Sequence, residues 1–270
     1  MKKKLVLIFL VFLVFGCKEN NVDQAPKIDE DSFLNHLEYA PLVSAYRAKI
    51  VDKYEFPDLS GIPGMTDWMR PNIIQERIDA YQIPDALLTS ISTEGLLETC
   101  LEFPYGIDIF FCNDYQKGFE ALLREFNGYR ELFKRPDLVD VLIVKYYCLS
   151  LDVTQVRTLS LEEQGGFSLR QFVFEMMLVQ DVVLENLSEE QERQLFLLSF
   201  EHIKIKKSYP DIFSDLNFLP TALLYAKKIM NDNQASADMQ YVLSGFIRTP
   251  RHVEQDVINY LENYVRNKFK

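Results

Sequence analysis

Read from its amino end, the chain changes character three times. Leu5 to Phe15 are apolar without a break, Lys18 to Glu30 are almost wholly polar, and from Asp31 onward apolar residues recur every three or four positions. That last spacing is one face of an α-helix. The first run is short of the roughly 20 apolar residues a spanning helix needs, and Lys2, Lys3 and Lys4 precede it. A basic head on a short apolar core is the pattern of an export signal. The polar stretch holds Pro26 and too few apolar residues to offset the entropy of ordering it, so it reads as a tether.

Beyond the tether the signals are helical. Asp31-Ser32 can cap a short helix, and Pro41 forces a restart before Leu42 to Val51. Tyr54 to Arg70 is irregular: it holds Pro57, Gly61, Pro63, Gly64 and the only tryptophan, Trp68. Pro71 suits the first turn of a helix bearing Ile73, Ile74, Ile78 and Tyr81. Helices follow from Pro84 to Ser90 and from the Ser92-Thr93 cap to Glu102, then a short apolar one over Ile107 to Cys112. Asn113 with Gln116, and Ser188 with Gln191, have the capping-box spacing. Asn127-Gly128 separates the helix bearing Phe119, Leu122, Leu123 and Phe126 from another over Tyr129 to Arg135. Leu138 to Leu151 and Phe172 to Leu187 are apolar nearly all round, which predicts helices in the middle of the protein. The first is rich in valine and isoleucine, but about 14 residues is long for a strand. Pro220 to Met230, Ala237 to Ile247 and a terminal helix after Thr249-Pro250 complete the set. Leu151 to Phe167, ending in Gly165-Gly166, reads as the boundary between halves 31–151 and 168–270. The fold expected is all-α, as layered helical hairpins or a short HEAT-like or armadillo-like solenoid.

The residues closing the apolar run, Val14-Phe15-Gly16-Cys17, resemble a bacterial lipobox. The resemblance implies removal of residues 1–16, lipidation of Cys17 and a body held to a membrane by palmitate or similar chains. Lys18-Glu19 resembles part of the surface-export signal of Bacteroidetes-type lipoproteins, which implies the outer membrane and leaves the leaflet open. Further on, the block Ser92-Thr93-Glu94-Gly95-Leu96-Leu97-Glu98-Thr99-Cys100-Leu101, then Asp108-Ile109-Phe110-Phe111, Gly118-Phe119 and Phe126-Asn127-Gly128-Tyr129, resembles a family of uncharacterised helical lipoproteins of Bacteroidetes. It covers roughly the first third of the mature chain. It implies an exported helical domain and brings no functional residue with it.

Charge narrows the partners. The 270 residues carry a formal charge of −11, and loss of the three leading lysines takes this to −14. Nucleic acid and anionic lipid both require basic patches, so neither is expected as a partner. Cys100, Cys112 and Cys148 remain after Cys17. An odd number cannot complete a disulfide framework, and each sits among apolar residues. They read as small buried hydrophobes, with a Cys100–Cys112 bridge as the alternative.

Candidate chemistry is sparse. No His-Glu-x-x-His, Gly-x-Ser-x-Gly, phosphate-binding glycine loop or Cys-x-x-Cys is present, so no catalytic residue, metal or cofactor is assigned. Of His36, His202 and His252, His202 follows Glu201 on a helix; adjacent positions face different ways, so it reads as a helix-surface histidine. Asp140 and Lys145 in one apolar helix, with Glu175 and Asp181 in another, are candidate buried charges. Glu175 with Lys145 is the expected pair, or Glu175 lines a pocket as an acid or base. Asn231-Asp232-Asn233-Gln234 lacks the alternating ligands and the glycine of a calcium loop. Tyr54, Phe56, Met65, Trp68 and Met69 put aromatic and thioether groups on irregular backbone. They form either a recognition surface or a lid folded over the core. The expected role is a membrane-anchored, non-enzymatic module that binds or scaffolds an envelope protein. The alternatives are an envelope hydrolase using dispersed carboxylates, or an accessory protein for polysaccharide.

Overall fold

A computed structural model describes residues 40–112, 114–149, 156–250 and 255–269. Cys17, the tether, the Asp31-Ser32 cap, His36, Asn113 and His252 lie outside them. The chain enters through α1 (Ala40–Lys49) and a 3-10 turn (Ile50–Asp52), then crosses an irregular stretch to α2 (Ile73–Ala80). There follow α3 (Asp85–Leu88), α4 (Thr93–Leu101), a 3-10 segment (Gly106–Phe111), α5 (Tyr115–Glu125), α6 (Asn127–Leu132) and α7 (Leu138–Cys148). The second half comprises α8 (Leu161–Leu178), α9 (Asp181–Leu184), α10 (Glu189–Ser208), a 3-10 turn (Asp215–Phe218), α11 (Leu219–Asn231), α12 (Ala237–Arg248) and α13 (Gln255–Phe269). No strand occurs among the described residues, and the fold is all-α. None of these helices is long and apolar enough to cross a membrane.

Local chemistry starts the helices where the sequence marks them. Ser92 Oγ accepts the Gly95 N–H ahead of α4, and Ser188 with Gln191 closes the expected capping box of α10. Pro220 sits in the first turn of α11, where a missing N–H costs nothing. Several boundaries differ: α1 starts at Ala40 with Pro41 inside it, Pro71 lies ahead of α2, and α6 takes in Asn127 and Gly128. Ser160 and Glu163 form a further capping box, so α8 begins earlier than expected and Gly165-Gly166 lie inside it rather than between halves. The same apolar run then ends at Leu178, because Gln180 turns extended and its side chain donates to the Met176 carbonyl at 2.6 Å. Ahead of α5 the capping group is Asp114, which accepts the Lys117 N–H at 2.7 Å.

Burial orders the helices into layers. All nine residues of α4 are buried, and α8 packs against α4, α5 and the Gly106–Phe111 segment on one side and α11 on the other. In the same way α7 lies between α1 and α4 of the first half and α10 of the second. The core of the first half is aromatic, with Phe103 stacked on Phe126 at 4.3 Å. Gly118 lets α5 touch its neighbour, since a Cβ there would stand 2.4 Å from the Ile109 carbonyl oxygen. Phe269 stacks on Phe196 at 4.7 Å and docks α13. A smaller cluster of Val156, Ile212 and Phe213 lies apart from this core. Cys100 and Cys112 form no disulfide, so the alternative bridge is not formed. Burial pushes the Cys148 thiol up to about 11.

Candidate functional site

Two regions concentrate polar chemistry: a buried seam between the halves and the irregular stretch before α2. The seam is centred on α7, whose adjacent residues Lys145 and Tyr146 point about 100° apart around the helix and so reach different neighbours. Lys145 Nζ reaches Glu98 on α4 at 2.5 Å, and the Tyr46 hydroxyl of α1 donates to the same oxygen at 2.6 Å. On the other side, Glu175 of α8 takes Lys206 of α10 on both oxygens, at 2.6 and 2.5 Å. Lys206 also donates to the Asn217 carbonyl at 2.8 Å. Glu175 accepts further from Thr221 at 3.2 Å and from Tyr146 and Gln171 at 3.3 Å. One turn before Lys206, His202 stacks on the Tyr146 ring at 4.3 Å with Nε2 3.1 Å from the Tyr146 carbonyl.

This arrangement corrects four expectations. Lys145 pairs with Glu98, not with Glu175, because α7 turns it toward α4. Asp140 is exposed and accepts from Gln191 at 2.6 Å. Asp181 is exposed at the start of α9 and pairs with Lys227 at 2.6 Å. His202 is fully buried rather than on a helix surface. Glu98, Lys206 and Tyr46 were not anticipated. A signal existed for Lys206: Leu195, Leu198, His202 and Lys206 share one face of α10 at helical spacing. In the last turn beside Lys207 it also has the placement of a cation that complements the helix dipole, which masks that signal.

The electrostatics are those of sealed pairs. Burial would raise the Glu98 carboxyl, but the Lys145 charge and the hydrogen bonds from Lys145 and Tyr46 hold it below its usual value. Burial pulls the Lys206 ammonium down, and Glu175 offsets this only in part. His202 is pushed down to about 3 by burial and by the Lys206 charge, so it stays neutral. The proton on Nε2 is fixed by the Tyr146 carbonyl, which leaves Nδ1 as a buried acceptor without a partner. With both Glu175 oxygens occupied and His202 neutral, the cluster is built to hold helices together. No group of three metal-ligating side chains forms among the described residues. In the Asn231–Gln234 turn the Asp232 carboxylate is taken by Lys228, Tyr264 and Lys268.

The irregular stretch divides in two. Tyr54 donates its N–H to Thr99 Oγ1 at 2.9 Å, and Phe56 sits edge-on to Tyr81 at 5.6 Å and against Phe126 at 5.7 Å. With half-buried Met65 they pack on the core, so for these three the lid reading holds. Trp68 and Met69 turn outward, 59% and 92% exposed, and Ile74 on α2 is 54% exposed. The backbone carrying them is braced. Arg77 lies 4.4 Å from the Trp68 ring centroid and donates to the Met65 carbonyl at 2.6 Å and the Tyr105 hydroxyl at 3.1 Å. Arg70 holds Glu76 through two bonds, at 3.1 and 2.6 Å. Asp67 accepts the Met69 N–H at 3.1 Å, and Gly64 and Asn72 supply the positive φ angles of 79° and 63° that the coil needs. Comparison with protein-family models, curated proteins and solved structures returns no match to this chain.

Proposed function

We propose that this chain is a lipoprotein of the cell envelope, anchored in the outer membrane through lipidated Cys17, whose helical body is a non-enzymatic module that binds another envelope protein. The observation that carries the reading is the outward pair Trp68–Met69. A largely exposed aromatic and an almost fully exposed thioether are held on a coil fixed by Arg70–Glu76 and Arg77. A rigid exposed tryptophan beside a polarisable methionine is the composition of a binding hot spot. Its bracing removes ordering entropy that binding would otherwise cost. The buried pairs serve the body that presents this surface.

The test has two parts. Palmitate should label the chain and the label should vanish in Cys17→Ala; a protein that begins at Met1, or labels equally in the variant, ends the anchor. A photo-reactive amino acid at position 69, activated in intact cells, should give a discrete protein adduct that weakens in Trp68→Ala. A probe that yields only unmodified chain ends the binding surface.

A further inference from the structure

The Trp68–Met69 surface has a charge environment that selects its partner. Between Glu55 and Asp79 the chain carries five carboxylates and two cations, and both cations are engaged. Arg70 is bound to Glu76. Arg77 lies against the indole and spends its N–H groups on Met65, Tyr105 and Tyr81. Asp67, next to Trp68, and Asp79, on the same helix as Ile74, form no ion pair among the described residues; their hydrogen bonds go to the Met69 N–H and the Gln75 amide. With Arg77 over the indole and 59% of the residue exposed, part of the ring remains open to solvent, and Asp67 directly precedes it in the chain. An aromatic face with an adjacent carboxylate receives a guanidinium or ammonium, and Met69 and Ile74 offer apolar area alongside.

We infer that this surface docks a protein segment in which a cationic side chain, arginine above all, is flanked by aliphatic residues. The cation seats between the open part of the Trp68 ring and Asp67, and the aliphatic neighbours lie on Met69 and Ile74. This rests on the proposed reading of the loop as a binding surface, and it names the partner's chemistry. Charge complementarity decides the occupant: the chain is net acidic and both cations of this stretch are engaged, so the patch is repelled from anionic surfaces and attracts basic ones.

Trp68 is the only tryptophan, so its emission reports the site directly. The full chain, reconstituted in phosphatidylcholine vesicles, is titrated with a capped Gly-Leu-Arg-Leu-Gly peptide and with the same peptide carrying neutral citrulline in place of arginine. The arginine peptide should give a saturable change in emission. Its dissociation constant should be about fivefold tighter than that of the citrulline peptide, the contribution of one exposed cation–π contact and one exposed ion pair. Asp67→Asn, which keeps the oxygen that accepts the Met69 N–H, should erase most of that difference. Equal response to both peptides, or none to either, overturns the inference. Strong quenching of Trp68 by brominated phosphatidylcholine also overturns it, because the bilayer would then be the occupant. A position-69 adduct in cells without an arginine preference leaves the binding reading standing and removes only the inferred chemistry. Absence of the adduct removes the reading itself.

Discussion

The two buried glutamate–lysine pairs share chemistry and differ in company. Glu98–Lys145 has the Tyr46 hydroxyl as a further partner, and the Lys145 side chain keeps 11% of its surface in solvent. Glu175–Lys206 is sealed, with 3% and 0% exposure, and is tied to Thr221, Tyr146, Gln171 and the Asn217 carbonyl. A buried ion pair costs several kcal/mol of desolvation per charge, and its hydrogen bonds decide whether it holds. The first pair can therefore be replaced by apolar groups, whereas the second is the hub of a network and cannot be removed cleanly.

The largest expected effect is at that hub. Lys206→Met strands Glu175 and should cost about 3–5 kcal/mol in denaturant unfolding. Lys145→Met leaves Glu98 the Tyr46 bond and a short route to water, so about 2–3 kcal/mol is expected. The double substitutions sharpen the contrast. Glu98→Met with Lys145→Met should recover most of its loss, whereas Glu175→Met with Lys206→Met should recover little, since Thr221, Tyr146 and Asn217 then lose partners. Equal recovery at both pairs would show that company is irrelevant.

Acid separates the regions next. Unfolded, His202 takes a proton near pH 6.5; folded, only near 3. Between those values the unfolded state binds the extra proton, so stability is full above about pH 6.5 and falls by about 1.4 kcal/mol per pH unit toward 3. Glu98, held below its usual value, adds a loss as the pH falls through the carboxylate range. His202→Gln should flatten the upper part of this profile in pH-dependent unfolding. The smallest effect belongs to the surface: Trp68→Ala should change stability by no more than about 0.5 kcal/mol. Acrylamide should quench wild-type Trp68 almost as well as free indole.

Most of the fold is legible in the chain because helix starts are local. Ser92, Ser188 with Gln191, and Pro220 announce α4, α10 and α11 through hydrogen bonds to their own neighbours. The pairing of charges is not legible, because it depends on which way a helix is rotated. Lys145 and Tyr146 differ by one position and serve opposite sides of the seam. Glu98 lies 47 residues from Lys145, and nothing local connects them. The irregular stretch was legible as unusual, but its inward and outward halves are separated only by the packing of Phe56 on Tyr81 and by the Arg77 brace under Trp68. Gly165-Gly166 misled because Ser160 and Glu163 outweigh about 1 kcal/mol of glycine penalty per residue.

The route by which the chain enters its body has a mechanical meaning. The described body begins with α1, and α1 lies along α7, which touches both halves. Ser44, Ala45, Ala48 and Lys49 of α1 face solvent while Tyr46 is buried and grips Glu98, so load applied at Ala40 falls first on that contact. Under such load α1 should detach before the core yields, and Tyr46→Phe should lower the force of that first step in single-molecule pulling.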